Sequence, residues 1–335
     1  MRMRVLALKW NYQLNQLIMN MEHAINIKKI NVKGFFIMNS NRRAAIDIGS
    51  NSIRLLIIEN TQNGIIELKR DIITTRLAKG IKDNNKIESD AIERTFTGIK
   101  TFLGYINIYR AQLKRVVATS AVREASNGTE LIKLLKELGI EVEVVDGESE
   151  AELTYLGATM NTEHNNPLVF DLGGGSTELI SLAPQKFVRS YAIGAVKALD
   201  YFGDNEGRIN SSEDIKSYIL DSLNDDMLDL CTKKHLEVIG VGGTATYLAQ
   251  AYKKLPKYTK EEIQGTYLLK EDIKDLLYSM NSYTLGKRSK IFNLPEKRAE
   301  IIVSGGFMIY YILELLGAAG YRASDDDMLL GACLQ

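Results

Sequence analysis

A short sequence pattern occurs twice in this 335-residue chain, and it constrains the fold more than any other feature. The stretch AIDIGSNSIRLLI at residues 45–57 aligns with VFDLGGGSTELIS at residues 169–181, which places Asp47 on Asp171 at an offset of 124 positions. An internal repeat of whole-domain length predicts two related halves. The chain is also long enough for two domains.

Strand-like and helix-like segments alternate after both copies of the pattern. Residues 44–48, 53–59 and 64–69 predict three adjacent strands in a meander, and apolar residues at helical spacing follow them. The alternation predicts mixed sheets flanked by helices in each half. We therefore expect a first domain over residues 41–164 and a second over residues 165–335.

Residues 1–40 precede the first copy and differ from the rest in charge. They carry six lysines and arginines against one glutamate, together with the only tryptophan, Trp10. The segment has neither a continuous apolar core nor a small-residue cleavage site, so it fits a secretory signal poorly. We expect an appendage or an over-long start, with the fold beginning near Met38; the alternative is a basic docking arm.

Composition argues against several classes of function. The chain has 42 basic and 42 acidic residues, so no overall positive charge favours nucleic acid or an anionic membrane. No apolar run reaches the roughly 18 residues of a membrane span. Cys231 and Cys333 lie outside any CxxC pair and the three histidines are scattered, which disfavours disulfides and zinc. We expect a cytoplasmic protein that binds neither nucleic acid nor membrane.

The repeated pattern has the chemistry of a phosphate-binding loop. A strand that ends in Asp-x-Gly before a turn of small residues gathers backbone N–H groups around one point, and glycine permits close approach. A tight hairpin needs similar residues, but two such loops in register predict a clamp for a chain of phosphates. The candidate residues are Asp47, Gly49, Ser50, Asn51, Ser52 and Arg54 in the first copy and Gly173, Gly174, Gly175, Ser176 and Thr177 in the second.

Two further glycine pairs have more than one interpretation. Gly242, Gly243 and Thr244 lie between a predicted strand and a predicted helix, where a helix N-terminus would favour an anion. Close packing of strand and helix explains the same glycines. The pair Gly305 and Gly306 opens an apolar stretch, and there we favour packing over a fourth loop.

Seven motifs together resemble the exopolyphosphatase/guanosine-pentaphosphate phosphohydrolase family, within the actin/Hsp70/sugar-kinase superfamily. In family order they are AIDIGSNSIR from Ala45, VATSAVREA from Val117, VDGESEA from Val145, FDLGGGSTE from Phe170, IGAVK from Ile193, IGVGGT from Ile239 and RAEII from Arg298. The resemblance implies two ribonuclease H-like (actin-like ATPase) domains with a cleft between them. It matches the short form, without the C-terminal HD-type domain of longer members.

The resemblance also implies roles for individual residues. Glu150 matches the catalytic carboxylate, a general base for the attacking water, and its neighbour Glu148 is the residue most easily confused with it. Asp171, with Glu150, matches the Mg²⁺ ligands, since Mg²⁺ takes one or two carboxylates together with phosphate oxygens. Arg123 matches a phosphate-contacting arginine.

Other positions in the motifs are expected to face the polyanion. Lys197 stands where the family has a basic residue, and Thr119 and Ser120 are further candidates for phosphate binding. Asp47 is the symmetric counterpart of Asp171, though it could serve only to orient its loop. Arg54 has a similar alternative, because it could pair with a carboxylate.

The family's C-terminal motif departs here from its usual form. Leu329 and Leu330 replace an arginine and a glutamate, so the usual ion pair cannot form. The run from Asp325 to Asp327 resembles a metal cluster, but we favour a solvated acidic turn that caps the last helix.

The leading hypothesis is a Mg²⁺-dependent hydrolase that releases terminal orthophosphate from inorganic polyphosphate. The alternative within the family is hydrolysis of guanosine pentaphosphate, which the motifs cannot separate from it. A small-molecule kinase and a non-catalytic sensor of polyphosphate or an alarmone are candidates from other classes. A homodimer is an expectation at family level only.

Overall fold

The structure is a computed structural model that describes residues 39–79, 81–160, 167–182, 186–222 and 237–335. The described residues divide into two compact units, one up to Val145 with Gln335 and one from Asp146 to Leu334. All of the predicted extension except Asn39 and Ser40 lies outside the described residues, so the expectations for it remain predictions.

The first unit contains one mixed sheet. Its strands are β1 (Asn39–Ile48), β2 (Ser52–Thr61), β3 (Gly64–Thr74), β4 (Ala111–Ala118) and β5 (Glu143–Val144). Its helices are α1 (Ile81–Asn84), α2 (Ser89–Tyr109), α3 (Ser120–Glu124) and α4 (Gly128–Glu137). The strand order is β3-β2-β1-β4-β5. The first three strands are antiparallel neighbours, whereas β4 runs parallel to β1 and β5 parallel to β4.

The second unit repeats this arrangement and extends it. Its strands are β6 (Leu168–Leu172), β7 (Thr177–Ser181), β8 (Phe187–Tyr191), β9 (Val238–Val241), β10 (Tyr267–Leu269) and β11 (Gly320–Ala323). Its helices are α5 (Gly147–Thr159), α6 (Ala195–Phe202), α7 (Ser212–Ser222), α8 (Gly242–Tyr252), α9 (Lys260–Ile263), α10 (Lys270–Asn281), α11 (Leu285–Ile291), α12 (Glu296–Leu315) and α13 (Met328–Leu334).

The two sheets share one topology. In the second unit the order is β10-β11-β9-β6-β7-β8, with β6, β7 and β8 as the antiparallel meander and β9 parallel to β6. The meander and its first parallel neighbour therefore match β1, β2, β3 and β4 strand for strand. This confirms the predicted fold class, two mixed sheets flanked by helices.

The structure assigns α5 to the second unit, although we predicted a boundary after residue 164. The physical reason is a close crossing of α5 and α13. A Cβ on Gly157 would lie 2.0 Å from the carbonyl oxygen of Asp327, and one on Gly331 would lie 2.0 Å from that of Leu153. Only glycine permits such an approach between backbones.

The other face of α5 packs on the second sheet. Ala151, Tyr155 and Ala158 are buried in one cluster with residues that include Val169 of β6 and Ile180 of β7. Burial of apolar surface on both sides fixes this helix more firmly than its own weakly patterned sequence does. The helix that carries Glu150 is therefore a rigid part of the second unit.

Helix α12 is the central helix of the second core. It is buried along most of its length, and Gly305 and Gly306 lie inside it. A Cβ on Gly306 would fall 2.2 Å from Leu277 Cδ2, and one on Gly305 would fall 2.7 Å from Thr244 Cγ2. These contacts confirm that the pair serves packing. No helix among the described residues is long and apolar enough to cross a bilayer.

Candidate phosphate-hydrolysis site

The first glycine loop joins β1 to β2 at the end of the sheet. Gly49 N–H donates to the Ser52 carbonyl at 3.0 Å, which closes the turn. Within the described ranges, no backbone carbonyl accepts from the N–H of Ser50 or Asn51. A turn with outward N–H groups is the arrangement that binds anions.

Asp47 and Arg54 form a cross-strand ion pair below this loop. The two residues are direct neighbours in the β1–β2 register, and Arg54 Nε donates to Asp47 Oδ2 at 2.7 Å. The Asp47 side chain is only 6% exposed, so the cation compensates a buried carboxylate. Arg54 was predicted either to contact phosphate or to pair with a carboxylate, and the structure shows the pair with a carboxylate. An orienting role for Asp47 stays a prediction.

The start of α3 borders the first loop. Because β4 runs parallel to β1, with Ala118 beside Ile48, the segments that follow both strands emerge at the same edge. The hydroxyl of Ser50 lies 2.9 Å from that of Ser120, and Thr119 N–H donates to the Ile48 carbonyl. The structure thus brings two predicted phosphate-binding segments together in the first unit.

Arg123 lies on α3 at the same edge. Its Nη1 donates to the Val145 carbonyl at 2.6 Å, and its Nη2 lies 3.9 Å from a carboxylate oxygen of Glu124. The residue is exposed. A guanidinium has five N–H donors, so these contacts leave others for a phosphate.

The second glycine loop has the same closing hydrogen bond as the first. Gly173 N–H donates to the Ser176 carbonyl at 3.0 Å. In the described part of the chain, no backbone carbonyl accepts from the N–H of Gly174 or Gly175. The cross-strand partner differs, however, because Glu178 faces Asp171 where Arg54 faces Asp47. The second loop therefore lacks the arginine that neutralises the first aspartate.

Helix α6 begins against this second loop. Ala195 N–H donates to the Gly173 carbonyl at 3.0 Å, and Val196 N–H to the Gly174 carbonyl at 2.9 Å. A Cβ on Gly194 would lie 2.5 Å from backbone atoms of Gly174 and Gly175, so only glycine fits there. These bonds use two loop carbonyls as acceptors. The N–H groups of exposed Gly174 and Gly175 remain toward solvent.

Lys197 lies beside the same loop, and its predicted contact with the polyanion stays a prediction. Its Cε would be 3.9 Å from a Cβ on Gly175, and its Nζ donates to the Ala192 carbonyl at 2.7 Å. An ammonium has two further donors. The structure therefore holds a cation at the edge of the second loop.

The third glycine pair opens α8 next to Asp171. Gly242 has φ +88°, and a Cβ there would lie 2.7 Å from Asp171 Oδ1. The carboxylate thus packs against the first residue of a helix, where the helix dipole favours negative charge. Thr244 is buried, with its side chain against Gly305, so a phosphate contact at this position would come from the backbone.

Arg298 is a residue of this region to which sequence reasoning gave no role. Its guanidinium would lie 2.5 Å, at Nη1, from a Cβ on Gly243, and its Cζ lies 5.4 Å from the centre of the Tyr247 ring. A cation held over a helix N-terminus adds to the positive potential there. Arg298 is the first residue of the RAEII motif, and that position was the available sequence signal for a role in the site. Its approach to Gly243 is visible only in three dimensions.

The structure separates Glu150 from Glu148 on helix α5. Lys186 Nζ lies 2.6 Å from Glu148 Oε1 and also bonds Glu152, one turn further along. The hydrogen bonds that Lys186 donates to Glu148 and Glu152 raise the pKa of its ammonium group. Residues two apart on a helix do not share a face, so Glu150 points away from this surface bridge.

The N-terminus of α5 fixes the position of Glu150. Asp146 caps the helix, since its side chain accepts from Ser149 N–H at 2.8 Å, and Glu150 N–H donates to the Asp146 carbonyl at 3.0 Å. Glu150 is half-buried, next to Ala151, which packs on the strand of Asp171. Both predicted acidic site residues thus belong to one packed cluster of elements in the second unit.

For the three C-terminal aspartates we predicted a solvated turn that caps the last helix, and the structure differs in the first two residues. Asp325 accepts from the hydroxyl of Tyr258, and Asp326 is 3% exposed and pairs with Lys260. Burial, followed by the charge of Asp325, raises the pKa of Tyr258. Asp327 does cap α13, because its Oδ1 accepts from the N–H of the second helical residue at 3.0 Å. A cluster of three or more metal-ligating side chains is absent from the described residues.

The two leucines that stand in place of the family's C-terminal ion pair are buried. Leu329 and Leu330 are 1% and 3% exposed on α13. Two leucines therefore fill an interior that an arginine and a glutamate could occupy only as a pair.

The donor set at Asp171 fits Mg²⁺. The ion prefers oxygen ligands and usually takes one or two carboxylates, with substrate phosphates and water completing an octahedron. Asp171 packs against Gly242, where any larger side chain would displace its oxygen, and the adjacent loop N–H groups suit phosphate. Asp171 would hold the ion, with Glu150 as the second candidate.

Comparisons with known proteins identify relatives of this chain. A sequence model of the Ppx/GppA phosphatase family matches residues 56–326. The bifunctional 3-dehydroquinate synthase/phosphatase of Fusobacterium nucleatum is 31% identical over 312 residues, which are 89% of this chain and 47% of that protein. The chain thus spans about half the length of this curated relative.

Solved structures extend the likeness to three dimensions. The type II variant of the Aquifex aeolicus Ppx/GppA phosphatase is 27% identical, with a TM-score of 0.76 over 87% of this chain and 97% of that one. An exopolyphosphatase from Cytophaga hutchinsonii is also 27% identical, with a TM-score of 0.71 over 87% and 96% of the two chains.

Two sheets of one topology, each with a glycine loop after its first strand, define an actin-like α/β fold of the type found in these phosphatases. The chain belongs to the Ppx/GppA phosphatase family. This confirms the family that the seven sequence motifs indicated.

Proposed function

We propose that this chain is a phosphoric anhydride hydrolase that releases terminal orthophosphate from inorganic polyphosphate. Water attacks the terminal phosphorus, and its proton passes to the Glu150 carboxylate. The bond from that phosphorus to the bridging oxygen breaks, which leaves orthophosphate and a chain one phosphate shorter. Such a transfer needs an aligned nucleophile and neutralised charge more than covalent chemistry.

The position of Glu150 is the observation that carries this proposal. It is the half-buried acid of α5, whereas Glu148 is exposed and bridged to Lys186. A general base has to be held in a fixed position to accept the proton of the attacking water, and the packing of α5 supplies that position. The close crossing at Gly157 holds the helix in place.

The glycine loops supply the binding of the polyanion in this proposal. Each closes with the same 3.0 Å hydrogen bond and turns backbone N–H groups outward. Lys197, Arg123 and Arg298 add cations beside the loops or at the helix start, and guanidinium groups suit phosphate oxygens.

A divalent cation completes the proposed site. Mg²⁺ would neutralise charge on the phosphates as the bond breaks. Asp171 is the proposed ligand because its oxygen faces the start of α8 beside the second loop. The requirement is tested by chelation with EDTA and recovery with Mg²⁺.

The choice of polyphosphate follows from the relatives. One solved neighbour is named an exopolyphosphatase and another a Ppx/GppA phosphatase. Guanosine pentaphosphate offers the same phosphoanhydride and is the competing substrate. A kinase would instead leave a phosphorylated acceptor.

The test is orthophosphate release from long polyphosphate, tripolyphosphate, guanosine pentaphosphate and ATP, with Mg²⁺ present. Fastest turnover on polyphosphate is the expected result. Preference for guanosine pentaphosphate would replace the substrate but keep the reaction. Binding without release from any substrate would indicate the sensor.

Two variants test the base. Glu150→Gln should lower kcat by about 10²- to 10⁴-fold with little change in polyphosphate binding, since only the proton acceptor is lost. Glu148→Gln is the matched control on the same helix and should remain within a few-fold of wild type. A large loss in the control with near-normal turnover of Glu150→Gln would transfer the role to Glu148.

A further inference from the structure

The segment after β3 is fastened to the first glycine loop by its backbone. Thr75 N–H and Arg76 N–H both donate to the Asn51 carbonyl, at 3.0 and 2.9 Å, and Ala78 N–H donates to the Ser50 carbonyl at 2.9 Å. The two loop residues with outward N–H groups are thus the ones that this segment holds from behind. Sequence reasoning gave residues 75–79 no role.

The same segment is anchored from two other directions. Leu77 is fully buried in the first core, between exposed Arg76 and exposed Ala78. Arg94 of α2 donates to the Thr75 carbonyl from Nε at 3.1 Å and from Nη2 at 2.9 Å. The segment is therefore a fixed border of the loop.

Arg76 is in a strained backbone conformation at this border. Its φ is +54°, in the left-handed region that side chains with a Cβ disfavour. Glycine or asparagine would occupy the position more easily. Strain of this kind persists only where the surroundings enforce it, and it concentrates at functional positions.

The charge of Arg76 has no acidic partner in the part of the chain that the structure describes. Its neighbour Lys79, by contrast, lies 3.7 Å from a carboxylate of Glu88. Arg76 is exposed, and its backbone hydrogen bond places its Cα beside the loop. A long cationic side chain thus starts from a backbone position that is fixed beside the first loop.

We propose that Arg76 is a substrate-binding residue that contacts phosphates of the polyanion bound at the first loop. This rests on the proposed function and names a further residue of the same site. The arginine fork is the group suited to two phosphate oxygens at once. The strained backbone is retained because it carries that fork.

The test separates backbone strain from the side chain. Arg76→Asn keeps a residue that tolerates positive φ, so it should raise Tm by about 1–4 °C. It should lower kcat/KM for long polyphosphate by about 10- to 50-fold through KM, since one charge-assisted contact is lost. Arg76→Lys keeps the charge and should recover part of that loss. In Arg76→Asn the slope of log KM against log salt concentration should decrease by about one, because one cation no longer contacts the polyanion.

Lys254→Asn is the matched control. Lys254 is an exposed cation with the same φ of +54°, beyond the far end of α8. This variant should also raise Tm but leave kcat/KM unchanged. An equal loss of activity in both variants would overturn the inference, because a general change in charge would explain it.

The failure of the inference is distinguishable from that of the proposed function. An active wild-type chain beside an Arg76→Asn variant with unchanged KM overturns the inference alone. A wild-type chain that neither hydrolyses nor binds polyphosphate or guanosine pentaphosphate overturns the proposed function, and the inference with it.

Discussion

The contact between α5 and α13 makes a sharp prediction about catalysis. Gly331 lies where a Cβ would be 2.0 Å from the Leu153 carbonyl oxygen of α5, the helix of Glu150. Ordinary contact begins near 3.4 Å, so Gly331→Ala must separate the two helices by roughly 1.4 Å. Neither atom is the end of a flexible side chain, so the backbone itself has to move.

The magnitude has a stability part and a catalytic part. Overpacking of a close contact costs about 1–3 kcal/mol, which lowers Tm by roughly 1–4 °C in a chain of this size. Displacement of a catalytic group by about 1 Å costs about 100-fold in rate. We therefore expect kcat for polyphosphate to fall about 10- to 100-fold, with KM changed much less, because the phosphate loops lie on other elements.

The assay is steady-state orthophosphate release alongside a thermal melt. Gly286→Ala is the matched control, since a Cβ there has nothing within 4 Å on helix α11. It should stabilise the chain by about 0.4–1 kcal/mol and leave kcat unchanged. Gly157→Ala offers the same perturbation from the other helix.

Two results would refute this reasoning. A Gly331→Ala variant with an unchanged Tm would mean that the crossing is looser than the structure has it. A lowered Tm with a normal kcat would mean that the crossing does not determine where Glu150 lies.

Two other ion pairs give further predictions. Arg54→Ala leaves the buried Asp47 without its cation and should cost about 1–3 kcal/mol in urea denaturation; Arg54→Lys should recover part of it. The hydrogen bond from Lys216 lowers the pKa of Glu314. A depressed carboxyl pKa adds stability above its unfolded value of 4.5 that is lost as pH falls through the folded value. Lys216→Met should therefore lower the free energy of unfolding slightly at pH 7 and leave it unchanged near pH 2, as measured by denaturation at both pH values.

Local sequence determined the parts of the fold that depend on neighbouring residues. The Asp-x-Gly pattern specifies a strand followed by a tight turn, and both copies form it with the same hydrogen bond. Strand and helix periodicity likewise predicted the meander of each sheet, because burial of one face imposes that spacing wherever the element lies. The family and its fold class followed from those elements and the motifs in order.

Contacts between distant residues decided the rest. Whether Arg54 binds a phosphate or a carboxylate depended on the β1–β2 register, and the burial of Asp326 depended on Lys260. The assignment of α5 to the second unit required a glycine of α13 that lies far along the chain.

The site shows the same division at single residues. The motifs indicated Glu150, and the structure distinguishes it from Glu148 by its partial burial and by the bridge between Glu148 and Lys186. Arg76 has no local signal, since a positive φ is imposed by hydrogen bonds to a loop more than twenty residues earlier. A sequence specifies which hydrogen bonds and contacts are available to each residue. The tertiary structure decides which of them form, because burial and chain geometry allow only one set at a time.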